Sequence, residues 1–203
     1  MNGIKNIIFD LGGVLLDIDF LHSQQAFAQL GIHNFKEMVS PFQGNDLFNA
    51  LETGMDADAF YHQFRKLSAN SLSNQAIEQA WCALLIGFRK KSIEQLMQLK
   101  QNYHTYLLSN TNEIHLQRIY QMFRSNFNNK ELDDCFDAAY YSHRIQIRKP
   151  SADAWLHIIN RHSLNADETL FIDDGTENIK AAMQLGLQTI QLLPGMYIEE
   201  LGL

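Results

Sequence analysis

No apolar run in the 203-residue chain approaches 18 residues, so nothing in it reads as a membrane-spanning helix. Positive charge is in deficit as well: the formal net charge is −7, whereas nucleic-acid binding needs a basic face. Cysteine is scarce. Cys82 and Cys135 stand far apart and fit neither a metal-knuckle spacing nor a disulfide framework, which leaves them as reduced, buried fillers. No basic segment leads into an apolar run near the first residue, so a cytoplasmic location is expected. Internal repeats, low-complexity tracts and long linkers are missing too. What remains is 46% hydrophobic and 19% charged, enough apolar material for a real core in one domain, or in one domain with an insertion.

The chain is organised around its opening stretch, Asn6-Ile7-Ile8-Phe9-Asp10-Leu11-Gly12-Gly13-Val14-Leu15. Ile7, Ile8 and Phe9 read as a short buried strand that ends in one carboxylate and two glycines. An Asp at the carboxyl end of a parallel strand lies where open α/β sheets bind their ligands, and the glycines let backbone approach it closely. From about Phe20 to Arg89 the pattern is helical throughout. A first helix ends near Gly31, a second spans Asn45 to Leu51, a third is capped by Asp56 or Asp58, and a fourth by Ser73. Beyond it, strands and helices alternate. Thr105–Leu108, Phe136–Tyr141, Thr169–Ile172 and Leu187–Leu192 read as strands, and helices are expected from Ser92, Glu113 and Ser151. This alternation predicts an α/β fold with a doubly wound parallel sheet. The core comprises residues 1–15 and 90–203, and a helical-bundle insertion comprises residues 16–89.

Four groups stand at strand ends: Asp10, Ser109-Asn110, Lys149 and Asp173-Asp174. Each has a plain alternative. Asp10 can cap a turn, Ser109 and Asn110 can cap a helix, Lys149 can be a solvated charge, and the two acids can cap the following helix. Adjacent acids after a buried strand are costly unless a cation neutralises them, which favours a metal there.

In this order, the four groups resemble the motifs of the haloacid dehalogenase-like hydrolase superfamily, and the likeness spans nearly the whole chain. The first motif reads Asp10-Leu11-Gly12-Gly13-Val14, the second Leu107-Leu108-Ser109-Asn110, the third Arg148-Lys149-Pro150 and the fourth Asp173-Asp174. The helical insertion resembles that family's cap, and the first two motifs look most like its small sugar-phosphate phosphatases. The resemblance implies a Rossmann-like core and a Mg²⁺-dependent phosphatase of a small phosphorylated metabolite, most plausibly a sugar phosphate. Asp10 would be the nucleophile and would form an aspartyl-phosphate. Ser109, Asn110 and Lys149 would hold the phosphoryl oxygens. Asp10, the Gly12 carbonyl and Asp174 would hold the metal, with Asp173 as a ligand or water-holder and Asn178 behind it.

One departure matters. The family's phosphatases carry a second Asp two residues after the nucleophile as general acid, a role typically contributing about 10²–10⁴-fold. Here that position is Gly12. Either another group substitutes, with Asp17, Asp19 and His22 as candidates, or the leaving group needs little protonation, which favours a sugar 1-phosphate. Asp17 and His22 are therefore also candidate substrate-binding residues. The alternatives are a member that binds a phosphometabolite or protein with little turnover, and a 2-haloacid dehalogenase, against which the intact acidic pair argues. A monomer or weak homodimer is expected, with no nucleic-acid or membrane partner.

Overall fold

The computed structural model describes residues 3–38, 47–69 and 71–203. Its centre is a five-stranded, all-parallel sheet in the order β5-β4-β1-β6-β7. The strands are β1 (Asn6–Phe9), β4 (His104–Ser109), β5 (Ala138–Tyr141), β6 (Thr169–Asp173) and β7 (Gln188–Gln191). β1 lies between β4 and β6, so its residues are covered on both faces and read as an unbroken apolar run. The pleat then sorts them. Ile7 and Phe9 pack on one face with Leu107, Leu170 and Ile172, while Ile8 packs on the other with Leu108 and Phe171.

Helices cover each face. Leu96 of α6 (Lys90–Leu99) and Phe123 of α7 (Glu113–Asn126) join the first cluster. Trp155 of α9 (Ala152–His162) and Ile179 of α10 (Thr176–Gln184) join the second. The doubly wound parallel sheet expected from the sequence is thus observed.

Between β1 and α6 the chain forms α1 (Phe20–Gln29), α2 (Phe35–Met38), α3 (Leu47–Glu52), α4 (Ala57–Ser68) and α5 (Asn74–Cys82). Asp56, rather than Asp58, caps α4 by accepting the Ala59 N–H, and Ser73 caps α5 through Ala76. These helices close around Phe27, Phe60, Phe64 and Trp81, an aromatic core with Phe60 and Trp81 ring centroids 4.7 Å apart. The start of the expected second helix, Asn45 and Asp46, lies outside the described residues.

One expectation is corrected. The segment before Arg89 is not helical to its end: Leu85–Phe88 form β3, which pairs antiparallel with β2 (Leu16–Ile18). The two strands of this ribbon are the entry to and exit from the helical unit. Pairing across about seventy residues overrode a local pattern too short to distinguish strand from helix. The four-residue helix α8 (Ser142–Ile145) was also unexpected.

Candidate active site

The parallel register brings the strand ends level. Phe9 is paired with both Leu107 and Ile172, so Asp10, Ser109 and Asp173 emerge together at the carboxyl edge of the sheet. The Asp10 N–H extends the ladder by donating to the Ile172 carbonyl at 2.9 Å.

Lys149 reaches this edge from the loop between α8 and α9. Its Nζ lies 2.7 Å from Asp10 Oδ1 and 2.6 Å from Asp173 Oδ2, with only 1% of the residue exposed. The Asn110 side chain fixes that loop to the end of β4. It donates to the Lys149 carbonyl and accepts the Lys149 N–H, both at 2.9 Å. Ser109 and Asn110 are not helix caps; the N-cap of α7 is Asn112, which accepts the His115 N–H.

Asp173 is fully enclosed. Its Oδ1 accepts from the Gly175 N–H at 2.7 Å and from Asn178 at 3.0 Å, while Oδ2 accepts from Lys149 and, at 3.1 Å, from Asn178. Both oxygens accept hydrogen bonds, so Asp173 anchors the lysine and the turn after β6.

Burial pushes the Asp10 carboxyl up to about 7; Lys149 opposes this and the Asp173 charge adds to it. Burial alone would lower the Lys149 ammonium, but Asp10 and Asp173 outweigh it and hold the group above its ordinary value. Burial, assisted by Asp173, also raises Asp174. Asp10, Asp173 and Asp174 each offer a carboxylate oxygen within 4.8 Å of the others. Three acids against one lysine leave an excess of negative charge on hard oxygen donors, the chemistry that suits a divalent cation such as magnesium.

Gly13 has φ +72°, and a Cβ there would lie 2.2 Å from Asp174 Oδ2, so only glycine lets this loop pass so close to the acid. At Gly12 a Cβ would meet Ile18 Cδ1 at 3.0 Å. A side chain at Gly12 would therefore need the tip of Ile18 to give by a few tenths of an ångström. Arg89 clamps the loop from outside. Its Nη1 donates to the Gly13 carbonyl at 2.6 Å and the Val14 carbonyl at 3.2 Å, and its Nε donates to Asp17 at 2.7 Å. Sequence reasoning missed Arg89, because nothing local links it to residues more than seventy positions earlier.

A crevice runs from Gly12, Ser109 and Asn110 towards the helical unit. Leu16, Ile18 and Phe20 line it, whereas the alternate residues Asp17 and Asp19 do not. Asp17 is paired with Arg89, and Asp19 caps α1 by accepting the Leu21 N–H. His22 is exposed beside Asp19 and does not line the crevice either. Two residues that do line it gave weaker signals. Glu52, at the end of α3, is buried and paired with Arg148. His115 stacks on Trp81 and bonds to the Trp81 carbonyl at 3.1 Å, tying α7 to α5.

Three comparisons bear on this site. The family model for haloacid dehalogenase-like hydrolases matches residues 4–186. The chain is 33% identical, over 93% of its length and 91% of the relative's, to a D-ribitol-5-phosphate phosphatase from Bacteroides thetaiotaomicron. Among solved structures, an enzyme of the same family from Bacteroides thetaiotaomicron, in complex with magnesium and inorganic phosphate, matches with a TM-score of 0.92. Identity is 30%, and the match covers 99% of this chain and 100% of that one. A family hydrolase from Porphyromonas gingivalis matches with a TM-score of 0.87 at 31% identity, covering 96% of this chain and 93% of that one. With three strand-end motifs and the Lys149 loop converging on one edge and a family model matching most of its length, the chain belongs to the haloacid dehalogenase-like hydrolase family.

Proposed function

We propose that the protein is a Mg²⁺-dependent phosphatase acting on a small sugar or polyol phosphate, with residues 16–89 as a cap over a core of residues 1–15 and 90–203. The observation that carries this reading is the buried Asp10 carboxylate, bonded to Lys149 and within reach of Asp174. Lys149 lies 2.7 Å from Asp10 Oδ1, and the carboxylate supplies the oxygen that would attack. The identity to a ribitol-5-phosphate phosphatase and the likeness to a magnesium- and phosphate-bound family enzyme support it.

The residues divide the work. Asp10 attacks phosphorus, a P–O bond forms to its carboxylate, and the ester P–O bond breaks, the departing alkoxide taking its proton from solvent water. Water then attacks the aspartyl-phosphate, releasing inorganic phosphate and restoring Asp10. Lys149, Ser109 and the Asn110 backbone stabilise the phosphoryl oxygens as charge develops on them, and Asp173 with Asn178 holds Lys149 in place. Asp10, the Gly12 carbonyl and Asp174 would hold magnesium, whose positive charge would offset the repulsion of an anionic phosphoryl group by the carboxylate. That charge also favours ionised Asp10, whose carboxyl otherwise titrates at about 7.

Two features weigh on the substrate. Gly12 favours a leaving group that needs little protonation, as in a sugar 1-phosphate, while the Bacteroides relative points to a primary phosphate on an open polyol chain. Phosphate release from a panel containing both classes, with Mg²⁺ and with chelator, tests the function and separates the classes. Turnover that needs the metal supports the proposal; folded, metal-loaded protein that turns over nothing contradicts it.

A further inference from the structure

We propose that Glu52 is the specificity-determining residue that reads the hydroxyl groups of the leaving alcohol, and that Arg148 holds it in position. The inference rests on the phosphatase reading and deepens it.

Glu52 is the sole charged residue among the described residues that line the crevice from Gly12, Ser109 and Asn110 to the helical unit; the neighbouring His115 is neutral. It belongs to α3, yet its partner Arg148 is the residue before Lys149 in the core. Both Arg148 contacts fall on one oxygen: Nε lies 2.9 Å and Nη2 2.8 Å from Glu52 Oε2. Oε1 takes no hydrogen bond from the described residues. Arg148 offsets the cost of keeping this carboxylate 5% exposed, and Oε1 remains an acceptor that a ligand's donor can use. Ser109 and Asn110, beside Asp10 at the sheet edge, form one end of the crevice, so a leaving alcohol entering it from a phosphate held at Asp10 would bring hydroxyl donors towards Oε1.

The charge pattern narrows the ligand class. Arg148 neutralises Glu52, so the pair offers little net attraction to an ammonium group. Oε1 is an acceptor with no proton, so it offers a second phosphate or a carboxylate no hydrogen-bond donor. A neutral hydroxyl satisfies it, and Leu16, Ile18, Phe48 and Leu85 accommodate the carbon chain. The geometry points to a polyol or sugar monophosphate in preference to a bisphosphate or a phosphorylated sugar acid.

The test compares kcat/KM for a five-carbon alditol phosphate with that for n-pentyl phosphate, which has the same chain without hydroxyls. The wild type is expected to prefer the alditol ester. A hydrogen bond to a charged acceptor is worth enough that losing it should cut this preference about 10- to 100-fold. Glu52→Leu is the first variant. Glu52→Met with Arg148→Met is the second, and it leaves no unpaired charge to upset folding. Collapse of the preference in either folded variant supports the proposal. A preference that stays within about threefold of the wild type overturns it, whether both rates fall together, as for a purely structural or proton-donating Glu52, or neither changes. A wild type with no preference overturns it equally. Turnover of p-nitrophenyl phosphate by the wild type, lost in Asp10→Asn, reports separately on the phosphatase reading.

Discussion

His115 should make the protein lose stability on mild acidification, by an amount the structure allows to be worked out. The imidazole is buried at the seam between α7 and α5. Its Nε2–H donates to the Trp81 carbonyl, while Nδ1 accepts from the Asn112 amide at 3.1 Å. A proton on Nδ1 would set two donors against each other in a buried site. Burial accordingly lowers the group from 6.5 to about 4, with the Trp81 carbonyl opposing the shift. In the unfolded chain the same histidine takes up its proton as pH falls through about 6.5. Between 6.5 and 4 the unfolded state therefore binds more protons, and stability falls with pH. The contribution is fully present above 6.5, is lost progressively below it, and levels off below 4. At about 1.4 kcal/mol per pH unit, moving from pH 7.5 to 5.0 costs roughly 2 kcal/mol through this one residue. Urea unfolding of the wild type and His115→Gln at both pH values isolates the effect. The wild type should lose about 2 kcal/mol more than the variant. Equal losses in the two proteins would refute the assignment of a neutral, buried imidazole.

Three further outcomes follow from neighbouring geometry. Gly13→Ala forces a left-handed backbone on alanine, at a cost of about 1–2 kcal/mol, and drives its methyl into Asp174; calorimetry should show magnesium affinity falling about 10-fold or more, and unchanged affinity would contradict the close approach. Arg89→Leu strips the Gly13 and Val14 carbonyls and Asp17 of their shared donor, so urea denaturation should reveal a loss of about 1–3 kcal/mol. Burial pushes the thiols of Cys82 and Cys135 up to about 12 and 11, so neither should be alkylated by iodoacetamide at pH 8 in the folded protein, as read by mass spectrometry, whereas urea should expose both.

The sheet was legible because its strands are buried on both faces. Ile7-Ile8-Phe9 and Leu170-Phe171-Ile172 are unbroken apolar runs that end at a carboxylate, and few other environments call for that pattern. The helix caps at Asp56 and Ser73 were legible because a cap is a local hydrogen bond. What escaped was nonlocal. β3 is four residues long and becomes a strand only because β2 lies beside it. Arg89 and Glu52 acquire their meaning from Gly13 and Arg148, partners 76 and 96 positions away. Asp17 and His22 drew attention through sequence proximity to the first motif. The ribbon's alternation leaves Ile18 and Phe20 lining the crevice and Asp17 outside it.

The central claim is that Asp10 carries out metal-dependent phosphoryl transfer. The most direct measurement is phosphate release by the wild type and Asp10→Asn on an alditol phosphate, each with Mg²⁺ and with excess chelator. Asn retains the size of the side chain but not the nucleophilic carboxylate, so turnover should appear only in the wild type with Mg²⁺. Turnover that survives Asp10→Asn, or that persists undiminished in chelator, would contradict the account.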